Sequence, residues 1–150
     1  MTPEERTRIE ANLFPASQPA IGSWDSFRWH HDRQKRADTW KPHSSQALVI
    51  DVFGLLQVVD SAKRDLVLNG LADRIGVASG GPWTVELEWE DAGNRLHEKA
   101  KTQVDAVARS PRSLIFFECK FTESDGGTCS QPSALTSGAN KGIRQCNGNY

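Results

Sequence analysis

The chain has 150 residues, of which 37% are hydrophobic and 25% are charged, and its formal net charge is −1. A chain of this length can form a single domain, 1–150, that buries roughly 70% of its unfolded surface without disulfides. No apolar run approaches the ~20 residues of a membrane helix, so a transmembrane protein is excluded, and the near-neutral net charge gives no global attraction to nucleic acid.

Residues 1–40 are predicted to be an N-terminal extension. Within it, PEERTRIEAN at 3–12 combines an early proline with acidic residues near its start, which predicts a short helix. The following FPASQPAIGS is a predicted loop because of its proline, glycine and serine. The N-terminus lacks the apolar stretch of a secretory signal, so we expect a cytoplasmic protein.

Residues 28–41, RWHHDRQKRADTWK, form a basic segment that carries two tryptophans. Basic side chains beside aromatic ones suit contact with phosphates and bases, so DNA binding is predicted here. The predicted contact residues are Arg28, Trp29, Arg33, Lys35, Arg36, Trp40 and Lys41. The alternative is a solvated segment whose tryptophans fold back onto the core.

The predicted core, 43–121, begins with a largely buried helix, SQALVIDVFGLLQ, which Ser44 or Ser45 can cap. Its apolar residues at helical spacing are Leu48, Val52, Leu55 and Leu56. Asp51 lies inside this pattern, either at the solvent-exposed edge of the helix or turned toward the carboxylate site.

A second helix, AKRDLVLNGLADRIG, is predicted next. Asp60 or Ser61 can cap its start, and Gly76 can end it. Its predicted apolar stripe consists of Leu66, Leu68, Leu71 and Ile75.

Three strands are predicted after the helices. In WTVELEWE, alternation places Trp83, Val85, Leu87 and Trp89 on one face and Thr84, Glu86, Glu88 and Glu90 on the other. KTQVDAVAR forms the second strand, and Ser110 and Pro111 mark the turn into SLIFFECKF. This third strand is apolar on both faces until Glu118, as expected of a central strand that is covered on both sides.

Residues 122–150 are predicted to be a loop-rich tail, and they contain Cys129 and Cys146. An odd total of three cysteines in a chain without an export signal favours reduced thiols or metal ligands over disulfides. A small metal-binding protein organised by these two cysteines is an alternative, although a zinc site usually contains a close cysteine pair, which this chain lacks.

The end of the third strand brings an acid and a base together. Because side chains alternate along a strand, Glu118 and Lys120 project to the same face, about 7 Å apart. Asp105, 13 residues before Glu118, can lie opposite it across the turn. Two carboxylates with open positions suit Mg²⁺. The alternative is a structural bridge between the lysine and a carboxylate.

This pattern of Asp105 followed by Glu-x-Lys resembles the PD-(D/E)XK nuclease superfamily, which has the restriction-endonuclease-like fold. The segments TQVDA, FFECKFTE and SSQALVIDVFG, together with Cys129, are similar to a bacterial group of restriction-endonuclease-like proteins over about residues 40 to 150. Val104 stands where the superfamily name has proline.

The resemblance implies an α/β fold of the mixed α+β kind, with helices followed by a three- to four-stranded mixed sheet. It also implies that Asp105, Glu118 and the backbone carbonyl of Cys119 bind Mg²⁺ or Mn²⁺, and that Lys120 positions the attacking water. An additional acid from an earlier element is expected to be Glu88, with Glu86 and Asp51 as rivals and a solvent-exposed face as the alternative. Gln103 orders a metal-bound water or makes a plain cross-strand hydrogen bond.

The resulting hypothesis is a Mg²⁺-dependent nuclease that cuts DNA, with a homodimer favoured if both strands are cut. The alternative is a non-catalytic module of the same fold that binds nucleic acid or assists assembly. Because only 29 residues follow Phe121, the domain is expected to be truncated at its C-terminus. The four histidines, His30, His31, His43 and His97, show no ligand spacing and are expected to be ordinary surface or core residues.

Overall fold

A computed structural model describes residues 1–31, 37–95 and 102–120. Helices precede a three-stranded antiparallel sheet, which is the α+β arrangement that was predicted. The α-helical segments are α1 (Pro3–Asn12), α2 (Ser45–Val49), α3 (Leu55–Val58) and α4 (Ser61–Ile75), with a 3₁₀ helix at Gln18–Ile21 and a π-helical turn at Ile50–Gly54. The strands are β1 (Thr84–Glu90), β2 (Gln103–Arg109) and β3 (Leu114–Phe117).

The start of α1 has a complete capping box. The Thr2 hydroxyl accepts a hydrogen bond from the Glu5 N–H at 3.2 Å, and the Thr2 N–H donates to the Glu5 carboxylate at 2.8 Å. This reciprocal pair satisfies two amide groups that a helix start otherwise leaves without partners. The helix predicted at 3–12 is therefore confirmed.

The segments α2 and α3 join through the π-helical turn into one helix, which Ser44 caps by accepting from the Ala47 N–H at 3.3 Å. The predicted apolar stripe is wrong in part, because Val52 and Leu55 are 45% and 41% exposed. The residues that this helix buries are Gln46, Ala47, Val49, Ile50 and Gly54. A π turn holds one extra residue, so it shifts the face that the later residues present.

Asp51 lies in the π turn and holds the loop after α1. Its Oδ1 atom accepts hydrogen bonds from the Phe14 N–H at 2.8 Å and from the buried Ser17 hydroxyl at 2.6 Å. Asp51 is thus neither a purely solvated edge residue nor part of a carboxylate site, and both of its predicted placements are corrected.

Asp60 caps α4, and Gly76 ends it with a φ of +74°, a conformation that glycine adopts without steric cost. The helix buries Leu68 and Ala72, whereas Leu66 is 75% exposed and Ile75 is 51% exposed. The predicted stripe is therefore wrong at Leu66, because a residue two positions from Leu68 points to the opposite side of a helix.

The sheet has the order β1-β2-β3, and β2 pairs with β3 in antiparallel register. The paired residues are Ala106 with Phe117, Val107 with Phe116, Ala108 with Ile115, and Arg109 with Leu114. One face of this hairpin packs on α4 and β1 in a hydrophobic cluster of Leu68, Ala72, Trp83, Val85, Ala108 and Ile115. A second cluster, which involves α1 and α2, contains Ile9, Leu13, Ile21, Trp29, Ala37, Ala47 and Ile50.

Strand β3 forms an edge of the described sheet, so the prediction of a central strand covered on both faces is wrong for the described residues. Leu114 and Phe116, which share the outer face, are 47% and 42% exposed. The Trp89 ring lies 5.3 Å from the Phe116 ring and covers part of this face. Among the described residues, the apolar run in β3 therefore contributes aromatic packing on the outer face.

The alternation of β1 breaks at Glu88, whose φ is +50°. Glu86 lies 3.7 Å from the Arg109 guanidinium, and the Trp89 ring lies 5.3 Å from it. Glu86 and Trp89 thus approach the same guanidinium although they are three positions apart. In a regular strand such residues point to opposite faces, and they share a face only where an extra residue is inserted, as in a β-bulge. The predicted assignment of side chains to the two faces of β1 is therefore wrong from Glu88 onward. Leu87 packs against the cluster that involves α1 and α2.

By backbone proximity the chain divides into two units, 1–89 with 104–122 and 90–103 with 123–150. The two hydrophobic clusters belong to the first unit. In the second, the Asp91 N–H donates to the Thr102 carbonyl at 2.9 Å, and the Gln103 amide donates to Glu90 at 3.2 Å. Gln103 thus makes the plain cross-strand hydrogen bond. Across the described residues, no helix combines the length and apolarity needed to span a bilayer.

Replacing Asp51 with alanine removes the acceptor of two hydrogen bonds, one of them from a buried hydroxyl. We expect the Asp51→Ala variant to lose about 2–3 kcal/mol of unfolding free energy in urea titrations. Asp73→Ala, at an exposed position of α4, is the control and should change stability by less than about 0.5 kcal/mol. Equal losses for the two variants would contradict the anchoring role of Asp51.

Candidate active site

Asp105 stands at the start of the described pairing between β2 and β3. Continuing the register one step beyond the Ala106–Phe117 pair places Asp105 opposite Glu118. The Asp105 Oδ2 atom also accepts a hydrogen bond from the Cys119 N–H at 2.6 Å. The backbone after β3 therefore fixes the orientation of this carboxylate.

Glu118 and Lys120 lie together on the solvent side of this strand end. The Lys120 Nζ atom is 2.8 Å from Glu118 Oε1, and their side chains are 34% and 53% exposed, respectively. This proximity agrees with the period of two in a strand. The roles of these residues in metal binding and catalysis stay predictions.

Glu88 projects from the bulge in β1 toward α2 and is largely buried, with 8% of its side chain exposed. Its Oε1 atom accepts from the Gln46 amide at 2.7 Å, and its Oε2 atom is 3.2 Å from His30 Nε2. The rival Glu86 is 58% exposed and faces Arg109. Of the three acids considered for an additional site residue, Glu88 is the one that meets Asp105.

The side chains of His30, Glu88 and Asp105 converge. Each offers one possible ligand atom, and these atoms lie within 4.8 Å of one another. His30 was predicted to be an ordinary histidine, and its place in this cluster was missed. Its partners are remote in sequence and are brought to it by tertiary packing, so no local spacing signals the site.

Gln46 supports this cluster through hydrogen bonds. The residue is almost completely buried, with 1% of its surface exposed. Its Nε2 atom donates to the Arg28 carbonyl at 2.8 Å and to Glu88 at 2.7 Å. Its Oε1 atom accepts from the His30 N–H at 3.0 Å and from the Thr39 hydroxyl. One buried amide therefore fixes both the backbone of His30 and the carboxylate of Glu88.

The electrostatics of the cluster reflect burial and excess negative charge. The pKa of His30 is raised mainly by its hydrogen bond to Glu88, although desolvation opposes the rise. The pKa of Asp105 is raised mainly by desolvation, against the lowering effect of the Cys119 N–H, and nearby Glu118 and Glu88 raise it further. A cation among these carboxylates would favour their charged forms.

The Cys119 thiol is an unsuitable ligand at neutral pH. Burial raises its pKa to about 11, and the neighbouring carboxylates contribute to the rise. Thiolate is the form that binds metals, so a thiol with this pKa stays protonated and inert. The role predicted for Cys119 concerns its backbone carbonyl and stays a prediction.

The tryptophans of the basic segment pack on the protein itself. Trp29 is 7% exposed, its ring stacks 5.2 Å from that of Trp24, and its Nε1 atom donates to the Trp24 carbonyl. The guanidinium carbon of Arg8 lies over the Trp40 ring, 3.5 Å from the ring centre. The structure therefore favours the alternative in which both tryptophans fold onto the core; contact of Trp29 and Trp40 with DNA stays a prediction.

The charged members of the segment are described only in part. Arg28 is exposed, and Lys41 lies 3.3 Å from the Asp38 carboxylate. The predicted contacts Arg33, Lys35 and Arg36 lie outside the described residues, as do Cys129, Cys146 and His97. Phosphate binding by Arg28, Arg33, Lys35, Arg36 and Lys41 stays a prediction.

The donor set fits a divalent cation. Glu88 and Asp105 supply carboxylate oxygens, His30 supplies an imidazole nitrogen, and Glu118 lies opposite Asp105. Carboxylates are the oxygen ligands that Mg²⁺ and Mn²⁺ take in proteins. The charges of Glu88 and Glu118 raise the pKa of Asp105, and a bound cation would offset this repulsion between carboxylates.

Comparison with known proteins supports a nuclease-related role. A model of the family described as Restriction Endonuclease associating with ARP matches residues 19–146. This range includes every member of the cluster described above. Searches of curated proteins and of solved structures each found no match.

We expect Gln46→Ala to destabilise the protein by about 3 kcal/mol, because it leaves buried partners such as Glu88 without a hydrogen bond. Gln57→Ala, at an exposed position of α3, is the control and should cost less than about 0.5 kcal/mol. Urea denaturation monitored by tryptophan fluorescence measures both. A Gln46→Ala variant as stable as the control would show that this network does not hold the site.

Proposed function

We propose that the chain, which belongs to the restriction-endonuclease family described as associating with ARP, is a metal-dependent nuclease of the PD-(D/E)XK type that hydrolyses DNA phosphodiester bonds. The observation that carries this proposal is the convergence of carboxylates at one end of the sheet. Asp105 and Glu88 each offer a possible ligand atom within 4.8 Å of the other, and continuing the register of β2 and β3 by one step places Glu118 opposite Asp105. These residues come from three segments of the chain.

Asp105 and Glu118 are the proposed ligands of Mg²⁺ or Mn²⁺, with the Cys119 carbonyl as a further ligand and Glu88 as the additional acid. When bound, the cation lowers the pKa of a water and offsets charge on the phosphate. The hydrogen bond from the Cys119 N–H leaves the other oxygen of Asp105 available. Packing and hydrogen bonding thus orient the acids before DNA arrives.

Lys120 is proposed to act at the solvent-facing edge of the site. Its ammonium group lies beside Glu118 and its side chain is 34% exposed, so an arriving phosphate can reach it. There it orients the attacking water and stabilises the charge that develops on the phosphate oxygens.

DNA is the proposed partner, gripped through its phosphates by the basic segment at 28–41. The arginines and lysines of this segment would supply the charge, and its tryptophans pack on the core. Cleavage of both strands would favour a homodimer. The family description names association with ARP, and we extend that association to this chain as part of the proposal.

Cleavage of plasmid and single-stranded DNA with Mg²⁺ or Mn²⁺ tests the proposal. Asp105→Asn and Lys120→Ala should each reduce the rate at least about 100-fold, because each removes a charge at the reacting phosphate. Asp73→Asn and Lys63→Ala change the same residue types at exposed positions of α4 and should leave the rate unchanged. Equal cleavage by all variants would overturn the assignment, and DNA binding without cleavage would favour a non-catalytic module.

A further inference from the structure

His30 is placed like a metal ligand, although its local sequence gives no sign of one. Its Nε2 atom is 3.2 Å from Glu88 Oε2, and its possible ligand atom lies within 4.8 Å of those of Glu88 and Asp105. Neighbouring ligands of a six-coordinate ion at about 2.1 Å are about 3.0 Å apart. The His30–Glu88 pair therefore already has the spacing of donors to one ion, and Asp105 lies near enough to complete the set after a small movement.

The backbone of His30 is held by the same group that holds its partner. The Gln46 amide accepts from the His30 N–H and donates to the Glu88 carboxylate. Partners that orient ligands in this way are a general feature of metal sites in proteins. Gln46 thus fixes the backbone of His30 and the carboxylate of Glu88 in one arrangement.

A nitrogen donor changes which metals the site prefers. Mg²⁺ is a hard cation that takes oxygen ligands, whereas imidazole suits transition metals. Two carboxylates and one imidazole bind Mn²⁺, Fe²⁺ or Co²⁺ more strongly than a set of oxygens alone. The chemistry of the donors therefore points to a transition-metal site and away from a site dedicated to Mg²⁺.

We propose that His30 is a ligand of a divalent transition-metal ion, which it binds through its imidazole nitrogen together with the carboxylates of Glu88 and Asp105. The proposal deepens the proposed nuclease function and rests on it for the use of the metal. It adds a nitrogen ligand from the N-terminal segment to a site that was expected to consist of oxygen donors from the strands. This segment therefore becomes part of the metal site, in addition to its proposed contact with DNA.

Pulsed electron paramagnetic resonance of Mn²⁺ bound to the full chain detects the nitrogen directly. The wild-type protein should show coupling to a directly bound imidazole ¹⁴N, and labelling with ¹⁵N-histidine should change that coupling. His30→Ala should abolish the coupling and weaken Mn²⁺ binding at least about tenfold. Removing a residue that only hydrogen-bonds to a metal ligand can already weaken binding by about this factor. His31→Ala, at the adjacent exposed histidine, should retain both the coupling and the affinity.

The outcomes separate this inference from the proposed function. Mn²⁺ that binds to the wild-type protein without nitrogen coupling overturns the role of His30, while DNA cleavage that depends on Asp105 would still support a nuclease. A wild-type protein that binds no Mn²⁺ overturns the metal site as well. If circular dichroism shows that His30→Ala fails to fold, His30→Gln keeps a polar side chain beside Glu88 and is the variant that should lose the coupling.

Discussion

The candidate site depends on the buried amide of Gln46. Placing an amide in the interior is unfavourable unless its hydrogen bonds are made. Gln46 makes them to the backbone at Arg28 and His30, to Thr39, and to Glu88. These partners come from the N-terminal segment and from β1, so one side chain of α2 adds polar links between parts of the chain that also meet in a hydrophobic cluster.

The second constraint is the backbone of Glu88. A non-glycine residue with positive φ costs on the order of 1–2 kcal/mol, and such strain persists where the surroundings hold it. Here the hydrogen bond from Gln46 and the contact with His30 supply that support. The strained conformation turns the carboxylate from the exposed face, where alternation would place it, into the cluster with Asp105.

The sequence predicts the features that rest on local geometry. A strand period of two places Glu118 beside Lys120, and the hairpin turn places Asp105 opposite Glu118, because both follow from spacing along the chain. Ser44 and Asp60 could likewise be identified as helix caps because the signal lies within one turn of the helix start.

Features that depend on tertiary packing could not be predicted in this way. The π turn moves Val52 and Leu55 to the surface, and Asp51 binds a loop that is distant in sequence. The bulge at Glu88 places Trp89 beside Phe116, on the face of the sheet opposite to the predicted one. His30 has no local ligand pattern, since its partners approach it only through the packing of α2 against β1.

An anomalous difference map from crystals of the protein soaked in Mn²⁺, recorded at the manganese absorption edge, tests the central claim most directly. The account predicts one strong peak among the side chains of Asp105, Glu88 and His30, on the side of Asp105 that faces Glu118. A map without a peak at these carboxylates, at Mn²⁺ concentrations that support DNA cleavage, would contradict it.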